Sequence, residues 1–301
     1  MSHANVNGDS VLDSGLELLQ QSNGMIKKTK RNLQESGDVV QKKKKKKSNQ
    51  TIKKFVHHVC SPISNEKRRK AVAAILAPTH NFNQSELEDL WKGMFFAVWY
   101  TEVTKCEEIL HDIAYNCRYQ NEKDYLITGF KLLAREWMGI DFFRVDKYAL
   151  LVRHMINRSL RVAIFDSEPR DFNFLNEIFI ASDESVEMLA HILEVYIEEL
   201  QNVTMRQVIW DPNDKCDVYI SAIRPVIKAI PRNSDSRILS TSKESIFKEI
   251  RLFLRSECQS NWRDKFCQEI FKELIDTGKE DNMSATNRKA LFKIAAEMKR
   301  S

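Results

Sequence analysis

Three acidic side chains lie close together in the middle of the sequence, at Glu136, Asp141 and Asp146. Carboxylates that converge on one pocket can hold the divalent metal ion of a nuclease, so these residues are the first candidates for catalysis. Basic residues are interleaved with them, at Arg135, Arg144 and Lys147. Opposite charges mixed in this way favour ion pairs that orient neighbouring helices. We therefore favour ion pairing as the role of these residues over catalysis by a metal-dependent RNA nuclease.

A second group of metal-binding residue types is His57-His58-Val59-Cys60. A structural zinc site needs four ligands, and no other Cys/His cluster has a suitable spacing, so we favour solvated histidines near a helix end. The eight glycines are dispersed and form neither a phosphate-binding loop nor a dinucleotide motif. No serine stands in a nucleophile elbow. We therefore expect no catalytic site, no cofactor, no bound metal and no small-molecule substrate.

The cysteines and the apolar segments bear on the cellular compartment. Six cysteines are scattered without paired spacing, which is typical of reduced residues in an intracellular protein: Cys60, Cys106, Cys117, Cys216, Cys258 and Cys267. No apolar run approaches the ~18 residues that a membrane span requires. Residues 1–20 lack the apolar core of a signal peptide. The sequence predicts an intracellular protein without membrane contact.

Positive charge is concentrated near the N-terminal end. Residues 1–54 carry 12 Lys or Arg and 5 Asp or Glu, whereas the remaining chain carries 35 and 37. Six consecutive lysines stand in this region: Lys42, Lys43, Lys44, Lys45, Lys46 and Lys47. Side chains that repel one another at this density cannot be buried, so we predict a disordered lysine-rich arm at residues 1–53. We interpret the run as a nuclear import signal and RNA tether, with a solubilising tail as the remaining alternative.

Apolar residues recur at helical spacing through most of the remaining chain. One stripe advances by alternating steps of three residues and one, which places its members on a single helix face. Its members are Leu87, Leu90, Trp91, Met94, Phe95 and Val98. Similar stripes follow as far as Leu200 and recur between Phe266 and Leu274, and none has the two-residue period of a strand. The sequence predicts an all-α fold.

The helical domain is predicted at residues 54–301, with a core at 55–200, a looser linker at about 201–240 and C-terminal helices at 241–298. The linker is inferred from turn-forming residues at Asp211–Asp214 and Pro231–Asp235. Successive amphipathic helices with short connections stack most simply as antiparallel pairs. We therefore predict an α-solenoid of stacked antiparallel helix pairs behind the disordered basic arm.

Helix boundaries are predicted from local signals. Two patterns of the capping-box type occur, at Ser85–Glu88 and Thr241–Glu244. Gly139 follows a helical stripe, where a left-handed C-cap suits glycine, and Asp141 stands where the next helix needs an N-cap. The connection between these two helices is short, so we predict that they form an antiparallel hairpin.

Four basic residues have spacings compatible with one broad exposed side of the helix after Asp141: Arg144, Lys147, Arg158 and Arg161. Such a side can bind RNA phosphates, or it can contact a protein or simply be solvated. A neutral-to-acidic folded domain attracts RNA weakly through its net charge. We therefore favour a solvated face or a protein contact, with RNA binding as the alternative.

Two stretches carry the most specific sequence pattern. Leu90–Trp99 reads LWKGMFFAVW and Arg135–Tyr148 reads REWMGIDFFRVDKY. Both resemble motifs of the nucleolar ribosomal RNA processing protein one family, also called the fifty-two-kilodalton nucleolar protein family. The matching residues are Trp91, Lys92, Gly93, Arg135, Glu136, Trp137, Gly139, Ile140, Asp141, Arg144, Asp146 and Lys147. Met94 replaces the leucine usual in the family, and Met138 replaces the asparagine.

The resemblance implies a nucleolar, non-enzymatic factor needed for processing the precursor of the large-subunit ribosomal RNAs. Its implied partners are proteins of the large-subunit precursor particle and pre-ribosomal RNA, and its implied location is the nucleolus within the nucleus. Many family members carry a long, basic, disordered C-terminal extension, and a role carried by that extension is not assumed for this chain. The remaining alternative from another class is an α-solenoid protein-binding adaptor unrelated to ribosomes.

Overall fold

A computed structural model describes residues 50–77, 81–205, 211–257, 260–281 and 283–299. Within these ranges the chain is built from helices and contains no β-strand, so the predicted all-α class is confirmed. None of the described helices is long and apolar enough to cross a membrane. The lysine run at 42–47 lies outside the described residues.

The helices follow one another with short connections. Their bounds are α1, residues 50–60; α2, Asn65–Leu76; α3, Gln84–Trp99; α4, Glu107–Tyr115; α5, Glu122–Glu136; α6, Val145–Ile164; α7, Phe172–Ser182; α8, Val186–Met205; α9, Pro212–Arg232; α10, Ser236–Thr241; α11, Lys248–Glu257; α12, Ser260–Gly278; and α13, Ala285–Met298. Single 3₁₀ turns occur at Val103–Lys105 and Trp137–Gly139. The segment Ser242–Phe247 is π-helical and joins α10 to α11.

The helices are arranged in two rows. Most helices pack chiefly against the helix two places further along the chain, so that α2, α4, α6, α8 and α10 form one row. The other row contains α3, α5, α7 and α9, followed by α12, against which α13 packs. Alternation of consecutive helices between two rows is the arrangement of an α-solenoid built from helix pairs. This arrangement agrees with the predicted fold.

Buried aromatic side chains connect neighbouring helices by hydrogen bonds as well as by packing. Trp91 in α3 is fully buried, and its Nε1 donates to the carbonyl oxygen of Tyr125 in α5 at 2.6 Å. The hydroxyl of Tyr148 in α6 donates to the carbonyl of Phe95 at 2.8 Å. A buried ring whose polar atom has a partner contributes a large apolar surface without an unsatisfied donor. These rings therefore fix the separation of adjacent helices.

Two predicted capping boxes are wrong in position. Helix α3 is capped by Asn83, whose side chain accepts from the amide of Glu86 while Glu86 accepts from the amide of Asn83. The true box thus begins two residues before Ser85. The residues Thr241–Glu244 start no helix, because α10 runs on into the π-helical segment. Here the N-cap is Asp235, which accepts from the amide of Arg237.

The region predicted as a loose linker is largely helical. Helix α8 continues to Met205, and α9 occupies most of the remainder. The cluster Asp211–Asp214 starts α9 instead of forming a free turn, because Asp211 accepts from the amides of Asn213 and Asp214. A proline at the first helical position, here Pro212, loses no hydrogen bond. Turn-forming residues at this point therefore serve as a helix start.

Helix α1 begins within the range predicted as the arm. Ile52 is 1% exposed and belongs to the apolar core. Phe55 lies against Gly93, where a Cβ atom would come within 2.5 Å of the Phe55 ring. The absence of a side chain at Gly93 therefore allows α1 to approach α3, and the folded part of the chain includes residues 50–53.

The cysteines described by the structure are free thiols, as expected for a reduced protein: Cys60, Cys106, Cys117, Cys216 and Cys267. Cys258 lies outside the described residues. Burial raises the pKa of the Cys117 thiol to about 12 and that of Cys60 to about 11. Thiols with such raised pKa values are poor nucleophiles at neutral pH.

Candidate functional site

The turn between α5 and α6 contains the most specific motif residues. After Glu136 the chain makes the 3₁₀ turn Trp137–Gly139, and α6 begins at Val145. None of the described glycines has a positive φ, so the predicted left-handed cap at Gly139 is wrong. The N-cap position of α6 belongs to Arg144, which makes no capping hydrogen bond, so the predicted Asp141 cap is also wrong.

Asp141 stabilises the turn in another way. Its carbonyl oxygen accepts from the amides of Arg144 at 3.0 Å and Val145 at 3.1 Å, and its carboxylate forms an ion pair with the Arg144 guanidinium. That guanidinium also lies 4.3 Å from the centre of the Trp99 ring, in a cation–π contact. Arg144 therefore links the turn to the end of α3, and only part of its charge faces solvent.

Lys147 does not belong to the predicted exposed stripe. The residue is 3% exposed, and its Nζ donates to the carbonyl oxygens of Val98, Trp99 and Thr101 at 2.6, 2.9 and 2.8 Å. The last carbonyls of a helix have no partner within the helix and carry partial negative charge. Lys147 supplies a donor to these groups at the end of α3, where the Val98 carbonyl also accepts from the backbone amide of Thr101. Its role in the described structure is thus to cap a neighbouring helix, which corrects the prediction of a surface residue.

The two arginines further along α6 differ in their contacts. Arg158 forms a bidentate ion pair with Glu122, at 2.6 and 2.8 Å, and a third contact with Asp166 at 2.6 Å. Its side chain is 17% exposed. Arg161 is half-buried and, among the described residues, its side chain forms no ion pair. The structure thus does not bring the four predicted basic residues together as one exposed face.

Arg161 lines a cavity of about 640 Å³ formed by α4, α6 and α8. The lining residues are His111, Tyr115, Leu150, Arg153, His154, Asn157, Arg158, Arg161, Glu199 and Asn202. The charge of Arg153 is balanced by Glu198 and by Glu199, whose carboxylate lies 2.6 Å from Arg153 Nε. Burial lowers the pKa of His154, although Glu107 lies 3.1 Å away and opposes this effect. The cavity is polar and its cations are largely paired.

The acidic residues do not converge on a metal site. Glu136 pairs with its neighbour Arg135 at 2.8 Å, and Asp141 pairs with Arg144. Asp146 is exposed. Within the described part of the chain, no three His, Cys, Asp or Glu side chains are placed to hold a metal ion together. His57 and His58 are exposed near the end of α1, so His57-His58-Val59-Cys60 lies where the solvated interpretation places it.

The remaining motif residues stabilise contacts within and between helices. Lys92 forms an ion pair with Asp89 one turn earlier in α3, at 3.0 Å. Trp137 is 7% exposed, and its ring stacks on that of His191 in α8 at a centroid distance of 6.5 Å. Ile140 is half-buried against the apolar core. The motif residues therefore stabilise the contacts among α1, α3, α5, α6 and α8.

Three apolar residues of this turn lie on the surface, which was not predicted from the sequence. Met138, Phe142 and Phe143 are 76%, 85% and 82% exposed. A large apolar patch on the surface of a folded protein marks an interaction site. The signal in the sequence is that these residues lie between two helical stripes and continue neither of them.

The fold and the site define a class of protein: an all-helical stack in which the most specific motif residues stabilise contacts between helices. The family profile described as "Nucleolar protein, Nop52" matches residues 50–295. The chain belongs to this family, which confirms the resemblance found in the sequence.

Several relatives are named as ribosomal RNA processing proteins. The chain is 26% identical over 195 residues to "Ribosomal RNA processing protein 1 homolog A" of Homo sapiens, covering 61% of this chain and 41% of that protein. Homolog B of Mus musculus is 28% identical over 195 residues, covering 61% and 26%. The Caenorhabditis elegans homolog is 24% identical over 247 residues, covering 73% and 59%. The matched segments thus span less than two thirds of each relative.

Proposed function

We propose that this chain is a non-enzymatic nucleolar assembly factor for pre-ribosomal RNA processing in large-subunit biogenesis. The observation that carries the proposal is the match of the Nop52 family profile to residues 50–295, nearly the whole helical domain. The names of the relatives, which refer to ribosomal RNA processing, support the same role. The ion-paired state of Glu136 and Asp141 favours a scaffold over the nuclease hypothesis.

The helical domain is proposed to bind protein components of the large-subunit precursor particle. Outside residues 1–54 the chain carries 35 basic and 37 acidic residues, so its net charge does not attract RNA. Several of its cations are engaged, as with Lys147 at helix carbonyls and Arg158 with two carboxylates. A surface with balanced charges suits protein contacts better than phosphate contacts.

The lysine run is proposed to contact pre-ribosomal RNA and to direct the protein into the nucleus. Its six consecutive ammonium groups bind phosphates through charge without reading sequence. Each phosphate that a lysine neutralises makes binding more sensitive to salt. This assignment leaves the helical domain free to bind proteins while the arm holds the transcript.

The proposal is tested by crosslinking the full-length protein to RNA in living cells and sequencing the recovered RNA. A variant with Lys42–Lys47 changed to glutamine removes the charge, and a matched variant with the same positions changed to arginine keeps it. We expect large-subunit precursor RNA with the wild type and the arginine variant, and much less with the glutamine variant.

Two other outcomes are informative. Undiminished recovery with the glutamine variant would assign RNA contact to the helical domain. Absence of precursor RNA from the wild type would contradict the proposed function and favour an adaptor unrelated to ribosomes. Nucleolar fluorescence of the same variants shows whether a loss of RNA merely reflects a failure of import.

A further inference from the structure

An apolar knob protrudes from the turn between α5 and α6, formed by Met138, Phe142 and Phe143. Their exposed fractions of 76%, 85% and 82% are the largest among the big apolar side chains of the described residues. The rings of Phe142 and Phe143 are packed edge to face, with centroids 5.9 Å apart. Three such side chains within six residues concentrate exposed apolar surface in one turn, unlike a single exposed leucine or isoleucine.

The base of the apolar knob is held in place on both sides. Trp137 is buried before it, and Lys147 is buried after it with three backbone acceptors. Between them, Arg144 stacks 4.3 Å from the centre of the Trp99 ring and pairs with Asp141. A preorganised turn loses little conformational entropy when it binds. The knob is therefore presented to a partner in a defined position.

The charges near the apolar knob distinguish between the two classes of partner that bind exposed aromatic rings, single-stranded RNA and protein. Single-stranded RNA binds where stacking rings are combined with a positively charged groove that follows the backbone. Around the knob, Arg135 is paired with Glu136 and Arg144 with Asp141, while Asp146 adds an exposed negative charge. Apolar residues surrounded by charges of both signs are instead the pattern of a protein interface, with an apolar centre and a polar rim.

We propose that the apolar knob docks into an uncharged, apolar cleft of a protein partner. Phe142 and Phe143 act as the central anchors, and Arg135, Glu136 and Asp146 form the rim. Aromatic anchors in a desolvated pocket contribute most of the binding free energy of many interfaces. The inference rests on the proposed function in that the partner would belong to the precursor particle.

The test places a photoreactive phenylalanine analogue at position 142 of the full-length protein in cells. The same analogue at Ile180, a 51% exposed apolar residue in α7, is the matched control. We expect a nuclease-resistant adduct with one protein from position 142 and none from position 180, with the adduct mapped to an apolar segment of the partner. An adduct with RNA, an adduct with a second copy of this chain, or no adduct would overturn the proposal.

The partner identified by the adduct is then purified, and its affinity for full-length variants is measured. Phe142→Asp combined with Phe143→Asp should weaken binding at least tenfold, whereas Phe142→Leu combined with Phe143→Leu should keep it within about threefold, because leucine retains apolar volume without an aromatic face. Equal affinity of the aspartate variant would overturn the inference, as would loss of binding in the leucine variant. Unchanged thermal melting of both variants excludes unfolding as the cause.

The two proposals fail in different measurements. Wild-type protein that recovers no precursor RNA contradicts the proposed function, whatever the knob binds. Wild-type protein that recovers precursor RNA while position 142 forms no protein adduct contradicts the docking inference alone.

Discussion

The Nζ of Lys147 donates a hydrogen bond of 2.6 Å to the carbonyl oxygen of Val98, a residue 49 positions earlier in the chain. Two further carbonyls, of Trp99 and Thr101, accept from the same ammonium group. A basic side chain at the C-terminal end of a helix satisfies orphan carbonyls and interacts favourably with the helix dipole. Through this contact the first turn of α6 fixes the end of α3.

Lys147→Met should destabilise the protein by about 1–3 kcal/mol, because it removes the Nζ donor from the carbonyls of Trp99 and Thr101. The measurement is the free energy of unfolding by chemical denaturation at neutral pH. Lys105→Met is the matched control, since the side chain of Lys105 is 63% exposed and pairs with Glu102 on the surface. The control should change stability by less than about 0.5 kcal/mol. Equal effects of the two substitutions would contradict the capping role.

The pH dependence of stability should also report on Lys147. Burial lowers the pKa of this ammonium group from 10.5 to about 8, so between these values the unfolded chain binds more protons than the folded one. Stability then rises with pH in that window. We expect the stability of the wild type relative to Lys147→Met to increase from pH 8 to pH 10. A difference that stays constant would show that the lysine keeps its ordinary pKa in the folded protein, and a difference that shrinks would show that folding raises this pKa; either result contradicts the prediction.

Gly129→Ala should be destabilising by about 1–3 kcal/mol through overpacking. A Cβ atom there would lie 2.2 Å from Cζ2 of the buried Trp91 ring and 2.7 Å from Cε of Met155. Gly139→Ala is the matched control, because no described atom beyond its two chain neighbours lies within 4 Å of its Cβ position. The control should be neutral or stabilising by up to about 1 kcal/mol. Thermal melting of both variants distinguishes them, and similar melting temperatures would refute the close helix approach at Gly129.

Trp137→Ala should cost about 3–5 kcal/mol, because the ring is 7% exposed and is packed against α8 through His191. Met138→Ala, next to it but 76% exposed, should change stability by less than about 0.5 kcal/mol. Denaturation with guanidinium chloride measures both values. A guanidinium chloride midpoint that is unchanged by loss of the Trp137 ring would show that the ring does not belong to the core.

Arg158→Met should destabilise the protein by about 1–2 kcal/mol, since it leaves the half-buried carboxylate of Glu122 without its bidentate partner. Lys70→Met tests an ion pair whose side chains are both 75% exposed, and its effect should be less than about 0.5 kcal/mol. Unfolding free energies at low and high salt are compared. A cost for Arg158→Met no larger than that for Lys70→Met would indicate a solvated arginine.

The sequence alone determined the helical class and the position of most helices. The three-and-four-residue spacing of apolar side chains, as in the stripe from Leu87 to Val98, is a local property that survives in the structure as the buried face of α3. It also determined the family, through the two motif stretches. The capping signals at Ser85 and Asp141 were less informative, because several neighbouring polar residues compete to cap one helix end.

Only the tertiary structure decided what the charged and aromatic residues of the motif do. Lys147 and Arg161 stand on the same helix, yet Lys147 is buried against the end of α3 whereas Arg161 lines an open cavity. Linear spacing gives the face of a helix on which a residue lies, but not which neighbouring helix covers that face. The partners of these cations are distant in the sequence. Arg158 pairs with Glu122, 36 residues away, and Arg153 with Glu199, 46 residues away. Lys147 donates to the carbonyl of Val98, 49 residues away. Long-range packing therefore separated structural cations from surface cations and left Phe142 and Phe143 exposed.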